Sequence, residues 1–269
     1  MVIIVGLFGL LIGSFINAAV WRLHNKQEHK KADNSVWHGR SVCPDCKHQL
    51  AWFDLVPVIS WLSLAGKCRY CRKPISVQYP AVELVTAGLF ALSYIKLNPV
   101  GALGWLDFVF WLYYLTILLV LAVYDLKWYL LPDAVLLPAI VVAIIQLGVH
   151  LSVGQPAATV GYSLLAGFLA GGFFYALAAA SGGRWMGGGD IKLVFFLGLI
   201  LGLSRTTLLL VLAFNIAAVV GVLLITVGVK SRRDMLPFGP FLVGAAITAH
   251  LYGLQIIAWY LRLSGLNVL

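Results

Sequence analysis

Eight apolar runs parted by short polar breaks leave this chain few ways to fold. They fall near residues 1–20, 79–94, 105–124, 132–151, 158–180, 190–203, 206–229 and 236–261. About 20 apolar residues cross the hydrocarbon of a bilayer as a helix, and only helices or closed barrels satisfy their own backbone groups there. Of the 269 residues, 61% are hydrophobic and 11% charged, against about 45–50% and about 25% in soluble domains. The expected fold is an all-α polytopic membrane protein of about eight transmembrane helices, not a barrel.

The net charge of +9 invites a nucleic-acid reading, but its placement argues against one. Ten of the 19 Lys and Arg lie between Arg22 and Lys73, as in a cytoplasmic loop under the positive-inside rule. With both termini outside, Lys127, Arg184, Lys230, Arg232 and Arg233 join them on the inner side, and Lys192 sits just inside a helix start. Only Lys96, Arg205 and Arg262 face out. A bilayer is the expected partner and nucleic acid is not. The first run lacks a positive leader and is followed by Arg22, so it reads as a retained helix rather than a cleaved signal. The expected organisation is a first helix over 1–20, a cytoplasmic module over 21–78 and a membrane domain over 79–269. No internal repeat or low-complexity segment is evident.

The module holds all four cysteines. Cys43-Pro44-Asp45-Cys46 and Cys68-Arg69-Tyr70-Cys71 are two C-x2-C pairs, 21 residues apart. Such a pair of turns, each supplying two thiolates, predicts a tetrahedral structural zinc site. Disulfides, the alternative, are disfavoured in a reducing cytoplasm. Four sulfur ligands leave no open position for water, so this zinc is not assigned catalysis. His38 and His48 are surplus to the set and read as solvated loop residues.

Six acidic residues follow the module. Asp107, Asp133 and Glu83 read as helix-start anions, and Asp234 as a loop residue beside Arg232 and Arg233. Asp125, at the end of one apolar run, and Asp190, at the start of another, are harder to dismiss. An ionisable group on a membrane segment is a functional candidate by default. Pairing with Lys127 and Lys192 fails as an account, because residues two apart on a helix face different ways. Asp190 as the N-cap of its helix is the structural alternative.

Two carboxylates at one depth tend to share a proton, so one can activate water while the other donates to a carbonyl. The helix ends favour Asp190 as the anion and disfavour charge on Asp125. Ahead of Asp190, Gly187, Gly188 and Gly189 lack Cβ atoms, letting the backbone unwind and a peptide approach closely. No Gly-Lys-Ser/Thr ending follows, which argues against a phosphate loop.

These residues resemble a known family. Gly187-Gly188-Gly189-Asp190 is similar to the GxGD signature of membrane aspartyl proteases, with Asp125 and Leu131-Pro132-Asp133 as the other half. The chain resembles the type IV prepilin leader peptidase/N-methyltransferases. Further matches are Gly13-Ser14-Phe15-Ile16-Asn17, Gly66-Lys67-Cys68-Arg69-Tyr70-Cys71, Tyr79-Pro80-Ala81-Val82-Glu83 and Pro237-Phe238-Gly239-Pro240.

The resemblance implies a bifunctional enzyme of the bacterial inner membrane with its active site at the cytoplasmic face. Such enzymes cut prepilins or pseudopilins after a glycine, removing a short basic leader. They then methylate the new N-terminal residue, usually Phe, from S-adenosylmethionine. It implies Asp125 and Asp190 as catalytic, the four cysteines as zinc ligands, and Gly13, Asn17, Gly66 and Glu83 as methyltransferase candidates. For these four the structural alternatives are packing, interhelical hydrogen bonding and capping.

Two other classes compete. A proton-coupled transporter would use the two aspartates as a relay, but such groups sit nearer the midplane between repeats. A zinc-module adaptor leaves the glycines and aspartates unexplained.

Overall fold

The structure is a computed structural model, described over residues 1–28, 41–184, 186–231 and 234–265. It is helical throughout, with no strand among the described residues beyond two isolated bridges. Two compact units divide the chain, Met1–Val120 and Leu121–Leu269. Among the described residues, seven helices are long and apolar enough to cross a membrane.

In the first unit, α1 (Val2–Glu28) and α3 (Gln78–Leu97) pack against each other. The contact follows from a stripe of small residues. A Cβ on Gly9 would lie 2.8 Å from the Ala87 Cα, and one on Gly13 would lie 2.6 Å from the Glu83 Cα. Four residues on, Asn17 Nδ2 donates to the Tyr79 carbonyl at 3.1 Å. Rising numbers on α1 meet falling numbers on α3, so the two helices are antiparallel and close at backbone distance. The first helix continues to Glu28 instead of ending near residue 20, since nothing from Trp21 to Glu28 breaks it. Helix α3 ends on Asn98, left-handed at φ 39° ahead of Pro99, a usual stop signal.

Between these helices lie a 3-10 turn (Trp52–Leu55), the short α2 (Ile59–Ser63) and the cysteine turns. Those turns form a local repeat that the sequence reading did not find. Val42 bridges Gln49, and Lys67 bridges Pro74. Cys43 N donates to the His48 carbonyl, and Cys68 N to that of Lys73. Lys47 and Arg72 occupy the same left-handed position, φ 57° and 58°. The repeat lies in backbone geometry, while only the cysteines are shared in sequence.

Helix α4 (Gly101–Trp128) carries the boundary between the units. It starts earlier than expected, which moves Asp107 out of the first turn. The second unit continues with α5 (Asp133–Ser152), α6 (Ala157–Ala180), α7 (Gly188–Thr226) and α8 (Gly239–Leu263). Helix α7 contains a break at Gly202, φ 72° and ψ 175°. Before the break, Gly198 meets Gly167 and Phe195 packs on Gly171, so this arm runs antiparallel to α6. A straight helix would carry Phe214 about 35 Å past Phe174 at 1.5 Å per residue. Their rings are instead 5.9 Å apart. The chain therefore reverses at Gly202, and the two arms match the expected runs 190–203 and 206–229. Beyond the turn Arg205 lies against Gly253, and Leu236 against Gly221, which sets the second arm antiparallel to α8.

Candidate functional site

Asp125 lies one turn before the end of α4 and is 5% exposed. Its Oδ2 accepts the Gly239 N–H at 3.0 Å, an amide that the start of α8 leaves without an intrahelical partner. A Cβ at position 239 would lie 2.6 Å from that oxygen. Gly239 is thus a site residue that sequence reasoning noted only within a motif.

Asp190 is half-buried and is not the N-cap of α7. The helix starts two residues earlier, Gly187 is the cap, and Asp190 Oδ2 reaches back to the Gly187 N–H at 3.3 Å. Asp190 lies within coulombic range of Asp125. In each aspartate, Oδ1 accepts no hydrogen bond among the described residues.

The glycines differ from one another. Gly187 is extended, at φ −77° and ψ 150°, while Gly188 and Gly189 are already helical. Gly189 admits Leu131, whose Cβ lies 2.8 Å from where its own would stand, and Gly188 faces open space.

Lys192 does not pair with Asp190. Its Nζ holds both oxygens of Asp133 at 2.7 Å, so Asp133, expected as a cap, ties α5 to α7. Lys230 reaches the Tyr129 hydroxyl at 3.2 Å and the Met235 carbonyl at 2.6 Å. Asp234 Oδ2 accepts the Ser231 N–H. His38, Arg232 and Arg233 lie outside the described residues. The end of the second unit that carries both aspartates thus also carries Lys127, Lys192 and Lys230.

The first unit holds two further clusters. Glu83 is 7% exposed and sits in the second turn of α3, so it does not cap that helix. It accepts the Val58 N–H at 2.7 Å. Asn17 is 5% exposed, and its Oδ1 is buried with no hydrogen-bond partner. Gly13, Asn17 and Glu83 thus meet at the crossing of α1 and α3. Gly66 is separate: at φ 68° it lies under the Trp61 ring, and its carbonyl accepts the Ile75 N–H.

The four cysteine sulfurs lie within 4.8 Å of one another, a group that can hold a metal ion. Cys43 Sγ and Cys71 Sγ are 3.9 Å apart. A disulfide needs about 2.05 Å, whereas sulfurs about 2.3 Å from a tetrahedral zinc stand about 3.8 Å apart. Burial raises the Cys43 thiol, but the amides of Cys46 and Asp45 and the neighbouring thiols outweigh it and bring it down to about 7. Lys73 joins Asp45 at 2.7 Å across the two turns. Arg69 joins Asp54 at 2.7 Å, and Tyr70 donates to the same carboxylate at 3.1 Å. His48 is an exposed loop residue as expected, with its ring tilted over that of Tyr70 at 3.6 Å between centroids.

Fold and site together define a polytopic helical membrane protein with a carboxylate pair at one end of its second unit and, in its first, a four-thiol cluster that can hold a metal ion. Residues 7–97 match the model of the bacterial peptidase A24 N-terminal domain, and residues 112–225 that of the type IV leader peptidase family. The chain is 35% identical to the prepilin leader peptidase/N-methyltransferase of Aeromonas hydrophila, over 96% of this chain and 93% of that one. It is 33% identical to that of Bacillus subtilis, over 98% and 99%. With that of Pseudomonas aeruginosa the figures are 30%, 96% and 93%. The chain belongs to the prepilin leader peptidase/N-methyltransferase family. No solved structure matches it.

Proposed function

We propose that this enzyme removes the short basic leader of type IV prepilins or pseudopilins after a glycine, then N-methylates the new N-terminal residue. Asp125 and Asp190 form the peptidase dyad. The observation that carries this is that each aspartate commits Oδ2 to a backbone amide and keeps Oδ1 open. The fixed oxygens orient the pair, and a water between the open ones can lose a proton to one carboxylate. The other, protonated, donates to the scissile carbonyl as the tetrahedral centre forms. Collapse of that centre returns a proton to the leaving amine. The open space at Gly188 suits an extended substrate backbone beside Asp190. The cations gathered at this end support a cytoplasmic face, and family membership supports the inner membrane of a bacterium.

Methyl transfer is assigned to the first unit. S-adenosylmethionine, when bound, supplies the methyl group. Asn17 Oδ1, buried without a partner, and the Glu83 carboxylate are acceptors suited to a cationic sulfonium or ammonium centre. Glu83 can also take the proton that the amine must lose. Gly13 lets α1 approach Glu83, and Gly66 shapes the turn beside Trp61. Zinc is the metal assigned to Cys43, Cys46, Cys68 and Cys71, in a structural role.

The test is reconstitution in proteoliposomes with a peptide carrying a basic leader, a glycine and an apolar helix. Cleavage by the parent chain and its loss in Asp125→Asn and in Asp190→Asn are expected. Cleavage that persists in either variant refutes the dyad.

A further inference from the structure

The 3-10 turn and α2 contain no buried residue. Their large apolar side chains point away from the module: Trp52 is 79% exposed, Ile59 66% and Leu62 63%. Ile59 and Leu62 are three apart and share one face of α2. On the other side, Trp61 donates its Nε1–H to the Ile75 carbonyl at 3.1 Å and covers Gly66. So α2 has an inward face satisfied by the module and an outward apolar face that nothing in the described chain covers.

The level of that face is fixed by one bond. Val58, just before α2, donates its N–H to Glu83 at 2.7 Å. Glu83 lies inside the membrane-crossing helix Gln78–Leu97 and against Gly13 of the crossing helix Val2–Lys26. Five residues of rise put it about 8 Å into α3, while the interfacial layer on each side of the hydrocarbon is about 5–8 Å deep. The start of α2 is therefore held within about 8 Å of the end of a membrane-crossing helix, at the membrane surface. Val77, just before α3, and Leu84, next to Glu83, are also apolar and 66% and 56% exposed. Behind it stand the cations of the cysteine turns. Arg69 lies 5.0 Å over the Phe53 ring, with Lys67 and Lys73 exposed nearby. Tryptophan and aliphatic side chains backed by Lys and Arg are the composition of an element lying in the interface of an anionic bilayer.

We infer that the segment from Trp52 to Leu62 is an interfacial foot, embedded in the lipid headgroup layer, that moors the cysteine module to the membrane surface. This goes beyond the peptidase and methyltransferase reading and does not depend on it.

The full-length protein in native membranes, carrying a photoreactive p-benzoylphenylalanine in place of Trp52 or of Leu62, tests this by mass spectrometry after irradiation. Phospholipid adducts at both positions, equal with and without co-expressed prepilin, are expected. Adducts to protein alone, adducts that appear only with prepilin, or no adducts would overturn it. A second measurement avoids the unnatural residue. In proteoliposomes of phosphatidylglycerol brominated near the carbonyl end of its chains, Trp52→Phe should lower the quenched share of tryptophan emission. An unchanged share would overturn the mooring.

Discussion

At Gly239 a hydrogen takes the place of a side chain because the Asp125 carboxylate already occupies the space where a Cβ would stand. Gly239→Ala must push that carboxylate aside while leaving both aspartates present. Misplacement of catalytic groups by about 1 Å costs on the order of 10²-fold in rate. Gly239→Ala is therefore expected to cut prepilin cleavage by about that factor with the protein still folded in detergent. As the proposed dyad, each aspartate supplies acid–base chemistry, so replacing either is expected to cost about 10²–10⁴-fold.

Asp54 offers a pH test in the module. Burial alone would raise its carboxyl, but Arg69, the Ala51 N–H and the Tyr70 hydroxyl outweigh that and hold it below the ordinary carboxylate range. Its contribution is thus present above the unfolded value of about 3.9 and is lost as pH falls through the lowered one. Arg69 is partly exposed, so screening limits the effect to about 1 kcal/mol. Asp54→Asn should speed amide exchange across the second cysteine turn at neutral pH, and this difference should vanish in acid.

Among the elements, the two cysteine turns depend on each other through the sulfurs and the Lys73–Asp45 pair. Cys43→Ser should lower bound zinc from one per chain toward none, as read by elemental analysis of the purified protein. Methylation should fall with it, and cleavage, assigned to the other unit, should largely survive. The α7 hairpin turns on Gly202, where φ 72° suits glycine and penalises any other residue. Gly202→Ala is expected to cost about 1–3 kcal/mol, seen as earlier thermal unfolding in detergent.

Across the whole molecule, what could be read from sequence was what depends on local pattern. The apolar runs announced the crossing helices, and the C-x2-C spacing announced a cluster that holds the four sulfurs together. Even the α7 reversal was visible, since Gly202 to Arg205 interrupts an otherwise unbroken apolar stretch. What stayed hidden depends on partners far along the chain. Glu83 looked like a cap for its own helix, but its bond is to Val58. Asp133 does open its helix as expected, but its carboxylate also holds Lys192, far along the chain. The N-cap alternative for Asp190 gives way because Gly188 and Gly189 are already helical, which makes it the third residue of the helix, still in its first turn. Such pairings follow from how helices cross, and no local spacing encodes that.

The central claim is that one chain both cuts and methylates through separate units, with Asp125 and Asp190 doing the cutting. Mass spectrometry of a candidate prepilin co-expressed with this protein reads both events on one molecule. The account predicts loss of the leader plus one methyl group with the parent chain, and intact, unmethylated prepilin with Asp190→Asn. With Asn17→Ala or Glu83→Gln it predicts cleaved but unmethylated pilin. Leader loss that persists in Asp190→Asn would contradict it.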